Sequence, residues 1–129
     1  MTQYEKNLLL KDLCARLPYG VVIQEKCVEQ DKTFLPIKEG DRLVNIDAHE
    51  DLLMTNCGSW YYLDEVKPYL FPLSSMTEEQ NIEYLHTCMG GNGGVPTLAS
   101  FEWYNKNHFD YRCLISMGLA IDATGLNIY

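Results

Sequence analysis

The sequence predicts a single α+β domain over residues 1–129: an N-terminal helix, a small antiparallel sheet or SH3-like barrel, and then C-terminal helices. Three observations predict it. A helical apolar period runs through the first 17 residues, short β-branched and aromatic runs parted by turn residues fill 19–64, and a proline-punctuated joint leads into helical patterning from Thr77.

Leu10, Leu13, Cys14 and Leu17 recur at i, i+3, i+4 and i+7, with Lys6, Lys11, Asp12 and Arg16 mostly elsewhere on the wheel. Residues 3–17 therefore read as an amphipathic helix with that apolar face inward, ended by Pro18. The β-branched run from Val21 through Val28 reads as a strand and Gln30-Asp31-Lys32 as a turn. Residues 33–37 form a second short strand, 38–41 a turn, and 42–48 a third strand. Residues 52–55 and 59–63 are two further strands, joined by Asn56-Cys57-Gly58 as a hairpin turn.

Pro68 and Pro72 argue against regular helix or a central strand across the joint, and Thr77-Glu78-Glu79-Gln80 is a capping box that starts a helix straight after it. That helix runs over 78–89 with Ile82, Leu85 and Met89 inward, and Gly90-Gly91-Asn92-Gly93-Gly94 stops it as a flexible linker. Pro96-Thr97 opens a third helix to about Asn107, with Leu98, Phe101 and Tyr104 or Asn105 inward. Asp110 caps a short fourth helix ending at Gly118, and Asp122-Ala123-Thr124-Gly125 is a turn in the tail.

The five cysteines, Cys14, Cys27, Cys57, Cys88 and Cys113, are odd in number and never spaced C-x-x-C, so they read as reduced, mostly buried thiols rather than a disulfide framework or zinc site. No signal-peptide h-region is visible, and no apolar run approaches the roughly 20 residues that span a bilayer. The expected setting is the cytoplasm, without membrane attachment. The net charge of −8 is unevenly placed: residues 1–42 carry seven basic and seven acidic side chains, residues 43–129 three basic and eleven acidic. Such a field opposes direct DNA or RNA binding, which needs clustered Lys and Arg, and suits a protein partner with a basic face.

Three segments carry a resemblance: 11–21, ending Leu17-Pro18-Tyr19-Gly20-Val21; 66–80, with Lys67-Pro68-Tyr69-Leu70-Phe71-Pro72-Leu73; and 105–115, with Asn107-His108-Phe109-Asp110-Tyr111-Arg112-Cys113, followed by Gly118-Leu119-Ala120. They resemble small proteins of Bacteroides-group gut bacteria and their prophages, a family with no assigned catalytic or binding residues. The resemblance implies a bacterial or phage cytoplasmic setting and transfers no site.

Candidate chemistry is sparse. Cys57-Gly58-Ser59-Trp60 is superficially similar to the nucleophile segment of papain-like proteases, but here the cysteine comes first, the second cysteine is missing, and a strand follows. A small cysteine-dependent hydrolase or transferase, with Cys57 paired in space to His86 or His108, is the enzymatic alternative. His86 and Cys88, with His49 and Asp47, are the only groups that suggest a metal. Residues two apart on a helix point about 200° apart, so no metal or other cofactor is expected. The glycine loop lacks the preceding strand and the lysine of a phosphate cradle.

The aromatics are the stronger signal. Trp60-Tyr61-Tyr62 must place side chains on both faces of a strand, and Trp103-Tyr104 does the same on a helix, so exposed members would be interaction anchors. The expected function is a non-enzymatic interaction module that engages a basic protein through an acidic surface, with Trp60, Tyr61, Tyr62 and Trp103 as binding residues. A nucleic-acid mimic that inhibits a DNA- or RNA-binding protein is a special case of it.

Overall fold

The computed structural model describes residues 1–25, 41–90 and 94–129. Helix α1 (Gln3–Arg16) begins with a capping box, in which Thr2 Oγ1 accepts the Glu5 N–H at 3.1 Å and Glu5 Oε1 accepts the Thr2 N–H at 3.2 Å. Its buried stripe is Leu9, Asp12, Leu13 and Arg16, while Cys14, expected inward, is exposed. The face is turned because Asp12 and Arg16 pair inside the protein. Arg16 Nε meets Asp12 Oδ2 at 2.8 Å, with both side chains fully buried, and Arg16 Nη2 also donates to Phe109 O at 2.6 Å. A short 3-10 turn over Leu17–Tyr19 carries Pro18 and ends the helix at Gly20.

Strands β1 (Ile23–Glu25), β2 (Leu43–Asp47), β3 (Leu52–Thr55), β4 (Trp60–Tyr62), β5 (Val66–Leu70) and β6 (Ile121–Asp122) form two three-stranded sheets among the described residues. One is the antiparallel meander β2-β3-β4; in the other, β1 pairs antiparallel and β6 parallel to the central β5. The two sheets meet at a Val22–Arg42 bridge, where Ile23 N–H donates to Asp41 O and Leu43 N–H to Val21 O. The β3–β4 turn lies at Asn56-Cys57-Gly58 as expected: Gly58 N–H donates to Thr55 O, and Gly58 takes φ +84°, which glycine adopts freely. The expected strand at 33–37, the turn at 30–32, most of the turn at 38–41, and Cys27 lie outside the described residues.

The proline joint departs from expectation, because Val66–Leu70 is a central strand despite Pro68. Register explains the tolerance. Tyr69 N–H donates to Val22 O at 2.9 Å, so N–H groups of the odd-numbered residues face β1 and the Pro68 nitrogen faces the other side. There β6 begins pairing only at Tyr69, so the missing donor removes no ladder bond. The Thr77 capping box forms as read, with the Gln80 N–H to Thr77 Oγ1 at 3.1 Å and the Thr77 N–H to Gln80 Oε1 at 2.8 Å.

Helix α2 (Glu78–Leu85) stops four residues earlier than expected: the Thr87 and Cys88 N–H groups turn to Tyr84 O and Leu85 O, three residues back, and Met89 and Val95 then exchange both backbone hydrogen bonds, at 3.0 and 2.8 Å. Ile82 and Met89 are 51% and 70% exposed, and Tyr84 supplies the packing by stacking on Tyr104. Helix α3 (Leu98–Lys106) is also turned: it buries Ser100, Trp103 and Asn105, leaving Leu98 and Phe101 exposed. The fourth helix expected from Asp110 to Gly118 does not form: Asp110 accepts the Leu114 and Ile115 N–H groups at 2.8 and 2.9 Å, four and five residues on, and holds a run of turns in which Cys113 takes φ +61°. The expectation of mostly buried cysteines fails as well, since Cys14, Cys57 and Cys113 are exposed and Cys88 is half-buried. The core lies between α1 and the inner faces of the sheets, around Leu9, Leu13, Ile23, Leu53, Leu63 and Leu70.

Candidate functional site

The meander sorts its side chains by the two-residue period of a strand. Register places Tyr61, Leu53 and Ile46 in one row, and that row packs on the core. The alternate rows, Trp60–Met54–Asn45 and Tyr62–Leu52–Asp47, therefore share the outer face. Trp60 is 48% and Tyr62 58% exposed, with Leu52 and Met54 half-buried beside them. Neither ring stacks on another ring or lies under a cation among the described residues.

Two carboxylates fix the Tyr62 end of this face. Asp47 ends β2 and accepts the His49 and Glu50 N–H groups at 3.1 and 3.2 Å, which holds the β2–β3 turn. Glu65 Oε2 accepts the Tyr62 N–H at 3.0 Å. That N–H points away from β3, because the ladder uses Ser59 O and Leu63 N–H on the inner side. Glu65 thus covers the edge of β4 that has no neighbouring strand among the described residues, a device that discourages strand addition and leaves the side-chain face as the presented surface.

Charge reinforces the arrangement. Residues 41–65 contain Asp41, Asp47, Glu50, Asp51, Asp64 and Glu65 against one basic residue, Arg42. Arg42 is turned elsewhere: its Nη1 donates to Gly20 O at 2.9 Å and its guanidinium lies 5.9 Å from the Tyr129 ring centre. The segment that forms the meander is therefore strongly acidic, and Trp60 and Tyr62 stand on its outer face.

The other sequence-predicted residues are not part of this face. Trp103 is only 8% exposed; its indole N–H donates to Glu83 Oε1 at 2.8 Å and its ring stacks on Phe109 at 5.5 Å. It is a packing residue, not an outward anchor, and Tyr61 likewise packs inward. Cys57 sits in the β3–β4 turn with its Sγ 3.6 Å from Asp41 Oδ1, His86 is exposed at the end of α2, and His108 stacks on Tyr129. No hydrogen bond joins any two of these three among the described residues. Among the described residues, no group of three or more His, Cys, Asp and Glu side chains converges as metal ligands would, and no helix is long and apolar enough to cross a membrane.

Sequence reasoning missed Leu52, Met54, Asp47 and Glu65 as neighbours of the aromatic pair. The hairpin turn held the signal, since fixing its register places Trp60 opposite Met54 and Tyr62 opposite Leu52. The chain matches no family model, no curated protein and no solved structure.

Proposed function

We infer that the protein is a non-enzymatic interaction module that binds a protein partner with a basic face, in the bacterial or phage cytoplasm that the sequence resemblance implies. The observation that carries this reading is the outer face of the meander. Trp60 and Tyr62 leave two large rings half-exposed to water, with no ring or cation against them among the described residues, within a segment of six acidic side chains and one basic. Aromatic side chains supply contact area at small entropic cost and dominate interface hot spots, while the acidic rim selects the sign of the partner and speeds encounter.

The test is co-purification from a bacterial lysate with and without nuclease, using wild-type protein, Trp60→Ala/Tyr62→Ala, and Glu50→Gln/Asp51→Asn/Asp64→Asn. A near-stoichiometric partner that survives nuclease, is released by salt and is lost with either variant supports the reading. Retention of that partner by both variants removes the meander from the interface. If the partner itself binds DNA or RNA, mimicry of nucleic acid becomes the specific form of the function.

A further inference from the structure

Resting on the interaction reading above, we propose that Trp60 and Tyr62 form a receptor for a cationic side chain, an arginine before a lysine, carried on an extended basic segment of the partner. The two residues stand two apart on one strand face, so their Cα atoms are about 7 Å apart and both rings rise from the same side. A planar guanidinium placed between them lies within about 6 Å of both ring centres, the range in which a ring quadrupole attracts a cation.

The surroundings suit the rest of that side chain. Met54 and Leu52, opposite Trp60 and Tyr62, supply an apolar floor for its methylene stem. Asp47 in the Tyr62 row and Glu65 on the Tyr62 N–H supply negative charge at one end. Arginine is favoured because its flat, weakly hydrated head stacks on aromatic faces, whereas an ammonium does not.

The chain's own arginines are engaged elsewhere. Arg16, Arg42 and Arg112 are its only three, and each already lies over a tyrosine ring: Arg16 and Arg112 over Tyr111 at 5.5 and 4.8 Å, Arg42 over Tyr129 at 5.9 Å. Trp60 and Tyr62 receive none of them. A second copy of the chain would bring the same −8 charge, so a basic partner is the occupant that charge complementarity selects.

The experiment is an NMR titration of the 15N-labelled chain with three Gly/Ser peptides of equal length, carrying four arginines, four lysines or four citrullines. The Trp60 indole N–H reports the site and the buried Trp103 indole serves as control. We expect saturable shifts at Trp60 and residues 60–62 with the arginine peptide, weaker binding of the lysine peptide, and at least tenfold weaker binding of citrulline. Trp60→Ala should weaken the arginine peptide about two- to fivefold, the effect of one exposed cation–π contact, and Trp60→Phe should restore part of it. Arginine binding that leaves Trp60 still and is unchanged in Trp60→Ala would overturn the receptor while leaving the acidic-surface reading standing. Equal binding of arginine and citrulline peptides would make the face a plain apolar dock and also overturn it. Absence of peptide binding overturns it too, and the lysate experiment then judges the broader reading independently.

Discussion

His108 and Tyr129 lie ring on ring, their centres 3.6 Å apart and their planes 12° from parallel. The Tyr129 hydroxyl accepts the Val22 N–H and donates to Tyr69 O, both at 2.8 Å, so the stack is bolted to the β1–β5 ladder. His108 Nδ1 is buried and has no hydrogen-bond partner among the described residues. Burial, with the positive charges of Arg16 and Arg42 nearby, pushes the imidazole from its ordinary 6.5 down to about 4.

A pH dependence follows from that shift. The unfolded chain takes up a proton at His108 as pH falls below about 6.5, whereas the folded chain refuses it until about 4. Its contribution is therefore complete above pH 6.5 and is lost as pH falls from 6.5 towards 4, by an amount on the order of 3 kcal/mol. Urea unfolding of wild type and His108→Asn at pH 7 and pH 5 checks it, asparagine being tolerant of the φ of +63° at this position. The wild type should lose more stability than the variant between the two pH values; parallel losses would show that His108 is not the titrating group.

Tyr129→Phe keeps the stacked ring and removes only the hydroxyl. Val22 N–H and Tyr69 O then lose their partner in a buried ladder, at a cost of about 1–3 kcal/mol. Chemical denaturation should show a lowered midpoint with an unchanged slope. A midpoint equal to wild type would mean that water replaces the hydroxyl without penalty.

The two tryptophans separate binding from stability. Trp60→Ala removes a ring that is 48% exposed and touches no other ring among the described residues, so stability should change by no more than about 0.5 kcal/mol. Trp103→Ala removes a ring that is 8% exposed, stacked on Phe109 and bonded to Glu83, and should cost about 3–5 kcal/mol. Thermal unfolding of both variants decides it, and comparable losses would place Trp60 in the structural core instead of on a free face.

Local signals carried the parts of the fold that depend on local chemistry. Thr77 and Gln80 form their box, and Asn56 to Gly58 make the turn, because each motif satisfies its own backbone groups within a few residues. The helix faces were legible only in part, Leu13 and Asn105 being inward as read, because an apolar count sets aside the other polar side chains that α1 and α3 bury: Asp12, Arg16 and Ser100. Pro68 misled for a related reason. Its cost depends on which side of β5 lacks a partner, and that is set by β6 some fifty residues later. For the candidate site, alternation predicted that part of Trp60-Tyr61-Tyr62 faces water, but nothing in the residue type distinguishes Trp60 from Trp103. Only the long-range partners Glu83 and Phe109 do so.

Asp12 and Arg16 give the sharpest test of how the interior is held. Asp12 also receives Arg112 Nε at 3.2 Å, and Arg16 reaches Phe109 O, so the pair links α1 to the segment after α3. Asp12→Leu strands the buried Arg16 charge and should cost about 3–5 kcal/mol, whereas Arg16→Met leaves Asp12 paired with Arg112 alone and should cost less. The double variant should cost clearly less than the sum, because buried apolar side chains need no counter-charge and the desolvation of both ions is relieved together. Arg16 Nη1, buried and without a hydrogen-bond partner among the described residues, increases that relief. A double-mutant cycle by urea unfolding measures the coupling, expected at about 2 kcal/mol or more. Strict additivity would mean that the two side chains are solvated independently and that the buried pair does not form in solution.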